Sequence, residues 1–209
     1  DKKLAIENNM TKMCLDCTYN KNSLYDLTER IIKDRNKEPV LLNQHYRSCK
    51  DIINFSNEHF YEKKLDIKTN ERNLISNKNY PNGINWVDVK GKTIQTKSPY
   101  NKEEAKEILK LLKKFPKTKK TSIGVVTIFR RQMELIESMI EKIPELKKLD
   151  IEIGTTHKFQ GGEKDIIIFS PAISNGIKQR TLNWVQSTTQ LLNVAITRAK
   201  SILIEIGRA

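Results

Sequence analysis

The chain has 209 residues, a formal charge of +13 from 38 Lys and Arg against 25 Asp and Glu, and a pI near 9.6. Its length suits one domain of ordinary size or a fragment of something larger, and 37% hydrophobic against 30% charged residues excludes a disordered tail. No apolar run approaches the roughly 18 residues that span a bilayer, Asp1 opens a polar stretch rather than a signal peptide, and three Cys exclude a disulfide framework and point to a reducing compartment. The reading is a soluble protein whose positive surplus invites a polyanionic partner, although charge alone also serves solubility.

In chain order, β-branched segments predict strands at 39–42, 84–89, 123–128, 151–155, 165–169 and 202–206. Several are apolar throughout, as strands covered on both faces are. Helical periodicity predicts helices at 23–33, 48–61, 101–115, 130–142 and 187–200. Asn101 followed by Glu104 marks a helix start, and Ile108, Leu109, Leu111 and Leu112 form the buried stripe of the helix it opens. Residues 102–120 hold eight Lys and three Glu, which reads as a solvated face rather than a phosphate-contacting patch. The segment 174–186 reads as a loop before the last helix. Alternation of strand and helix predicts a doubly wound parallel sheet.

Gly91-Lys92-Thr93 has the ending of a P-loop, which needs G-x-x-x-x-G-K-[ST] so that successive N–H groups face the phosphates. The position five before Gly91 is Trp86, and no glycine lies five residues before another. An Asp-Glu pair at the end of an apolar strand, suited to Mg²⁺, is absent too. The chain does not hold a nucleotide by itself in the standard way.

Three segments carry candidate chemistry. The first, Leu42-Asn-Gln-His-Tyr-Arg-Ser48, puts Arg47 at a strand-to-helix junction, where a planar, permanent cation suits a γ-phosphate. The second, 153–165, carries Thr155, His157, Gln160, Gly161 and Glu163 in a turn whose glycines allow close backbone approach. The third, Leu192-Asn-Val-Ala-Ile-Thr-Arg-Ala-Lys200, puts Arg198 at the end of a helix.

Together with Ile-Gly-Val-Val-Thr-x-Phe-x-x-Gln at 123–132, these segments resemble, in order and spacing, the second RecA-like domain of superfamily I helicases, in the branch of the nonsense-mediated-decay RNA helicase and its bacterial relatives. The resemblance runs from about Ser23 to Gly207. It implies an α/β, three-layer RecA-like domain over 23–209 with a mainly parallel sheet flanked by helices and no P-loop of its own. Residues 1–22 would be a linker from a first RecA-like domain, which would hold the P-loop, ATP and Mg²⁺.

On that resemblance Arg47 and Arg198 would be arginine fingers, Tyr46 would lie against adenine, and Glu163 would accept from the ribose. Gln160 and Gly161 would line the same cleft. Thr127, Thr155 and His157 would touch single-stranded DNA or RNA through its backbone, although Ile128 stands where many relatives have Pro. The plain rivals are core packing for Tyr46, a satisfied loop residue for His157 and a strand-end cap for Thr127. Cys14-x-x-Cys17 lacks further ligands for a metal, and His45 and His59 read as structural. The expected protein is a cytoplasmic, bacterial-type ATP-dependent helicase with no membrane part and 5′ to 3′ polarity, whose isolated second half is inactive. The alternative is a non-catalytic nucleic-acid-binding or interaction module keeping the fold. A metal nuclease built on Glu163 and Asp165 lacks a further carboxylate or Lys to complete it.

Overall fold

Runs of Ile and Val between polar turns form most of the strands in the computed structural model, which describes residues 23–115, 121–159 and 162–208. The chain divides into two units, 1–43 and 44–209. In the first unit, helix α1 (Leu24–Asp34) opens with a capping box, the Ser23 hydroxyl accepting the Asp26 N–H while the Asp26 carboxylate accepts the Ser23 N–H.

In the second unit, β1 (Gln44–His45) pairs in parallel with β2 (Asp66–Ile67). The main sheet contains β3 (Gly83–Asp88), β4 (Ser122–Thr127), β5 (Asp150–Thr155), β6 (Lys164–Ser170) and β7 (Ala199–Gly207). Its order is β3-β7-β6-β4-β5 and every pairing is parallel. Successive residues of a strand face opposite sides, so the apolar runs feed two cores. Ile123, Val125, Ile166, Ile168, Ile202 and Ile204 pack with α3 (Lys102–Lys114) and α4 (Arg130–Ile140). On the other face, Val126, Ile167, Phe169 and Leu203 pack with residues of α2 (Lys50–Phe60), α5 (Gln179–Ser187) and α6 (Thr189–Ile196). Burying each such side chain contributes about 1.5–3 kcal/mol. The result is the three-layer α/β RecA-like arrangement.

Local expectations held except at two places. Residues 39–42 form no strand, and Val40 and Leu42 are about nine-tenths exposed; strand pairing begins instead at Gln44. The expected helix at 187–200 is shorter, α6 ending at Ile196 and β7 beginning at Ala199, and a separate helix, α5, occupies most of what reads as a loop at 174–186. The break between α5 and α6 falls at Thr188, whose hydroxyl donates to the carbonyls of Trp184 and Val185 and so competes with continuation of the helix. Only Val185 of α5 is buried, too little apolar periodicity to show in sequence. The P-loop-like tripeptide is structural: the Thr93 hydroxyl donates to the Ala172 carbonyl and accepts the Ser174 N–H.

A buried polar network ties the start of α3, the first turn of α4 and the exit from β6. Asn101 caps α3 by accepting the N–H groups of Glu103 and Glu104. Glu104, fully buried, accepts from Ser170 Oγ at 2.7 Å, Ala172 N at 2.9 Å and Asn101 Nδ2 at 3.0 Å. Gln132 accepts the Asn101 N–H and donates to Ser170 Oγ. Burial pushes the Glu104 carboxyl up to about 7, against those three hydrogen bonds. The folded chain therefore binds this proton more tightly than the unfolded chain, so the stabilisation is complete below 4.5 and is lost as pH rises toward about 7. Glu205, raised by burial, acts in the same direction, whereas His45, lowered by burial and then by Arg47, opposes it. The stability difference between wild type and Glu104→Gln, from urea midpoints, should narrow by up to about 3 kcal/mol from pH 4.5 to above 7. A difference independent of pH would mean that Glu104 stays ionised throughout.

Candidate functional site

The corner between β1 and α2 is fixed by backbone hydrogen bonds. His45 Nε2 accepts the Ser48 N–H at 2.8 Å, Thr69 Oγ1 donates to the Ser48 carbonyl at 2.7 Å, and the Cys49 N–H donates to the Lys200 carbonyl at 2.7 Å. The accepting ring nitrogen requires a neutral imidazole, in keeping with the lowering of His45 by burial. Between these anchors Tyr46 is 63% exposed, so it is not a core residue, and its hydroxyl donates to Gln44 Oε1.

Arg47 is latched to the turn that carries Arg198. Its Nη2 donates to the Thr197 carbonyl at 2.9 Å, its Nη1 lies 3.8 Å from Glu163 Oε2, and its Nε is buried with no hydrogen-bond partner among the described residues. Arg198 is not on a helix. It stands in the turn between α6 and β7, its Nε donating to the Val194 carbonyl at 3.1 Å and its Nη1 to the Gly162 carbonyl at 3.1 Å. Burial first, and then the like charge of Arg47, push Arg198 down from its ordinary value, with Glu163 opposing. Two held guanidiniums with one exposed carboxylate between them make a wall suited to an anion.

Arg47 and Glu163 line an open cleft of about 570 Å³ whose lining also includes Tyr46, Asp165, Lys200 and Asn70; Arg198 is not part of that lining. Lys200 Nζ lies 3.2 Å from Asp165 Oδ1 and 3.8 Å from Glu163 Oε1. Burial opposes ionisation of Asp165, but the Ser122 N–H and hydroxyl together with Lys200 hold it below its ordinary value. Lys200 and Asp165 belong to the patterned segments 192–200 and 153–165, but only the fold brings them to the cleft. Asn70 was not legible, because it reaches the cleft from a polar stretch without periodicity.

Thr127, Thr155 and His157 lie at the other end of the sheet. Thr127 and Thr155 are paired last residues of β4 and β5, whereas Glu163 and Arg198 immediately precede the paired starts of β6 and β7. In a parallel sheet those are opposite edges. Thr155 is half-buried and His157 exposed. Thr127 is fully buried, its hydroxyl has no partner among the described residues, and its carbonyl accepts the Thr156 N–H. As folded, the Thr127 side chain offers no surface contact and caps nothing. Gln160 and Gly161 fall outside the described residues.

The chain passes from one edge to the other between β5 and β6, a crossover that skips β4. Phe159, 1% exposed, anchors it in a slot that two glycines leave open. A Cβ on Gly124 would lie 3.0 Å from the Phe159 ring and 2.5 Å from Ile167 Cδ1, and one on Gly154 would lie 2.9 Å from the ring.

A family described as AAA domain matches residues 23–209. The chain is 34% identical over 198 residues to Helicase sen1 of Schizosaccharomyces pombe, covering 89% of this chain and 12% of that protein. It is 30% identical over 234 residues to the DNA polymerase alpha-associated DNA helicase A of Saccharomyces cerevisiae, covering 98% and 33%. It is also 30% identical over 196 residues to the Regulator of nonsense transcripts 1 homolog of Neurospora crassa, covering 87% and 18%. The chain thus spans a third or less of the length of these relatives. No helix among the described residues is long and apolar enough to cross a membrane.

Phe159→Ala should lower stability by about 3–5 kcal/mol in urea or thermal unfolding. A loss below about 1 kcal/mol would show that the crossover is not anchored by this ring.

Proposed function

Because the chain belongs to this AAA-domain family, the C-terminal region of superfamily I helicases, we propose that it is the second RecA-like half of an ATP-dependent DNA or RNA helicase. Residues 23–209 are the domain and 1–22 the link from a first RecA-like domain, which holds the P-loop and Mg²⁺. The observation that carries the reading is Arg47, latched to the Thr197 carbonyl at the wall of an open cleft, with Arg198 held in the adjoining turn by the Gly162 carbonyl.

The cleft wall fits the phosphate end of ATP bound across the two halves. Like charges held together are favoured when an anion lies between them, and Arg47 and Arg198 supply planar donors where phosphoryl transfer spreads negative charge. Tyr46 offers an exposed ring for a planar base, and Glu163 a hydrogen-bond acceptor for the ribose. Lys200 adds a third cation. ATP, when bound between the halves, would draw them together and supply the phosphoryl group that is transferred to water.

The opposite edge, with Thr155 and His157 at the ends of paired strands, is the face for a single strand, gripped through its backbone without reading sequence. Thr127 joins that contact only if the edge rearranges. Gln160 and Gly161 would line the ATP cleft and couple it to the strand-binding face.

In the longer protein uniting both halves, Arg198→Ala should reduce ATP turnover by roughly 10³–10⁵ while leaving single-strand affinity within about twofold. Turnover at the wild-type rate would remove Arg198 from the role of finger. Loss of strand affinity equal to the loss of turnover would show a folding defect instead.

A further inference from the structure

A second cleft, of about 430 Å³, lies at the end of β4, and its lining includes Lys97, Phe129, Arg130, Arg180, Thr181 and Trp184. Phe129 is the second residue after Thr127, so the cleft continues the edge that carries Thr155 and His157, away from Arg47 and Glu163. None of its lining residues is acidic. Arg130 is tied to Glu134 at 2.8 Å, but Lys97 and Arg180 form no ion pair among the described residues. Trp184 is 43% exposed and rests against buried Phe129, ring centroids 6.2 Å apart.

The walls are braced from beneath. Ser98 Oγ accepts the Arg131 N–H at 3.1 Å, Gln95 Oε1 accepts the Lys178 N–H at 2.8 Å, and Gln95 Nε2 reaches Thr181 Oγ1 at 3.4 Å. The Glu104 network then joins the start of α3, just beyond Lys97, to Gln132 of α4 and the exit from β6. A site held open before a ligand arrives loses little conformational entropy on binding. A backed, partly exposed indole flanked by unpaired cations is the pairing that takes single strands, since every base has a face to stack and every nucleotide a phosphate.

We propose that this cleft takes one nucleobase of the single strand, stacked on Trp184, with the adjoining phosphates on Lys97 and Arg180. The proposal rests on the reading that this chain binds nucleic acid, and it names where one base lies. The chain has two Trp, so Trp86→Phe leaves Trp184 as the only reporter. Oligothymidylate and oligouridylate of about 12 nucleotides, end-labelled for anisotropy, should quench Trp184 emission in step with binding. Trp184→Ala should weaken binding about tenfold and Trp184→Phe much less. Arg180→Ala, at an exposed position, should reduce the salt slope of the binding constant by about one. Binding by anisotropy with Trp184 emission and the Arg180→Ala slope both unchanged would overturn the cleft and leave the nucleic-acid reading standing. No binding of either oligonucleotide would overturn both. Equal quenching by polyglutamate would overturn the choice of a nucleobase in favour of an acidic protein segment.

Discussion

A parallel sheet covered by helices on both faces leaves its polar chemistry only the two ends of its strands. Here β6 and the middle of β4 are buried on both sides, in one core beneath α3 and α4 and in another beneath α2, α5 and α6. Any unpaired polar group placed within those layers is destabilising. The exposed and half-exposed functional side chains accordingly collect at the edges. Arg47, Glu163, Arg198 and Lys200 gather where β6 and β7 begin, and Thr155, His157 and the Trp184 cleft where β4 and β5 end.

Two edges become one machine only if something joins them, and the covalent link between β5 and β6 is short. Phe159 anchors it at a place where side chains on Gly124 or Gly154 would collide with the ring. A packed element of this kind transmits displacement instead of absorbing it. The glycines of β4 and β5 are therefore part of the functional architecture although neither lies in a site.

At the β6–β7 edge, electrostatics sets the geometry. Two guanidiniums side by side repel, and the fold offsets this by giving each a backbone carbonyl and placing Glu163 near Arg47. Two such cations held close together suit an anion between them. At the opposite edge the positions are held by neutral hydrogen bonds and by one buried carboxylate, Glu104, whose three donors come from the cap of its own helix and from the exit of β6. That distribution explains why Glu104 reads in sequence as an ordinary helix-start residue. Its burial is decided by Ser170 and Ala172, far along the chain.

The sequence by itself determined the class of fold, because segments apolar throughout suit strands covered on both faces, and β-branched segments alternating with periodic helices form a doubly wound parallel sheet. It also determined the arginine and glutamate of the cleft, since their neighbours at 42–48, 153–165 and 192–200 form a recognisable pattern. Tertiary structure alone decided that Arg198 sits in a turn, that α5 exists, that Thr127 faces inward and that residues 39–42 form no strand. The hydroxyl competing for helix carbonyls at Thr188 acts locally, on residues three and four back, whereas a side chain buried by neighbours distant in sequence and a β-prone run without a partner strand are outcomes of packing. Local residue preference carries no information about such contacts until the layers come together.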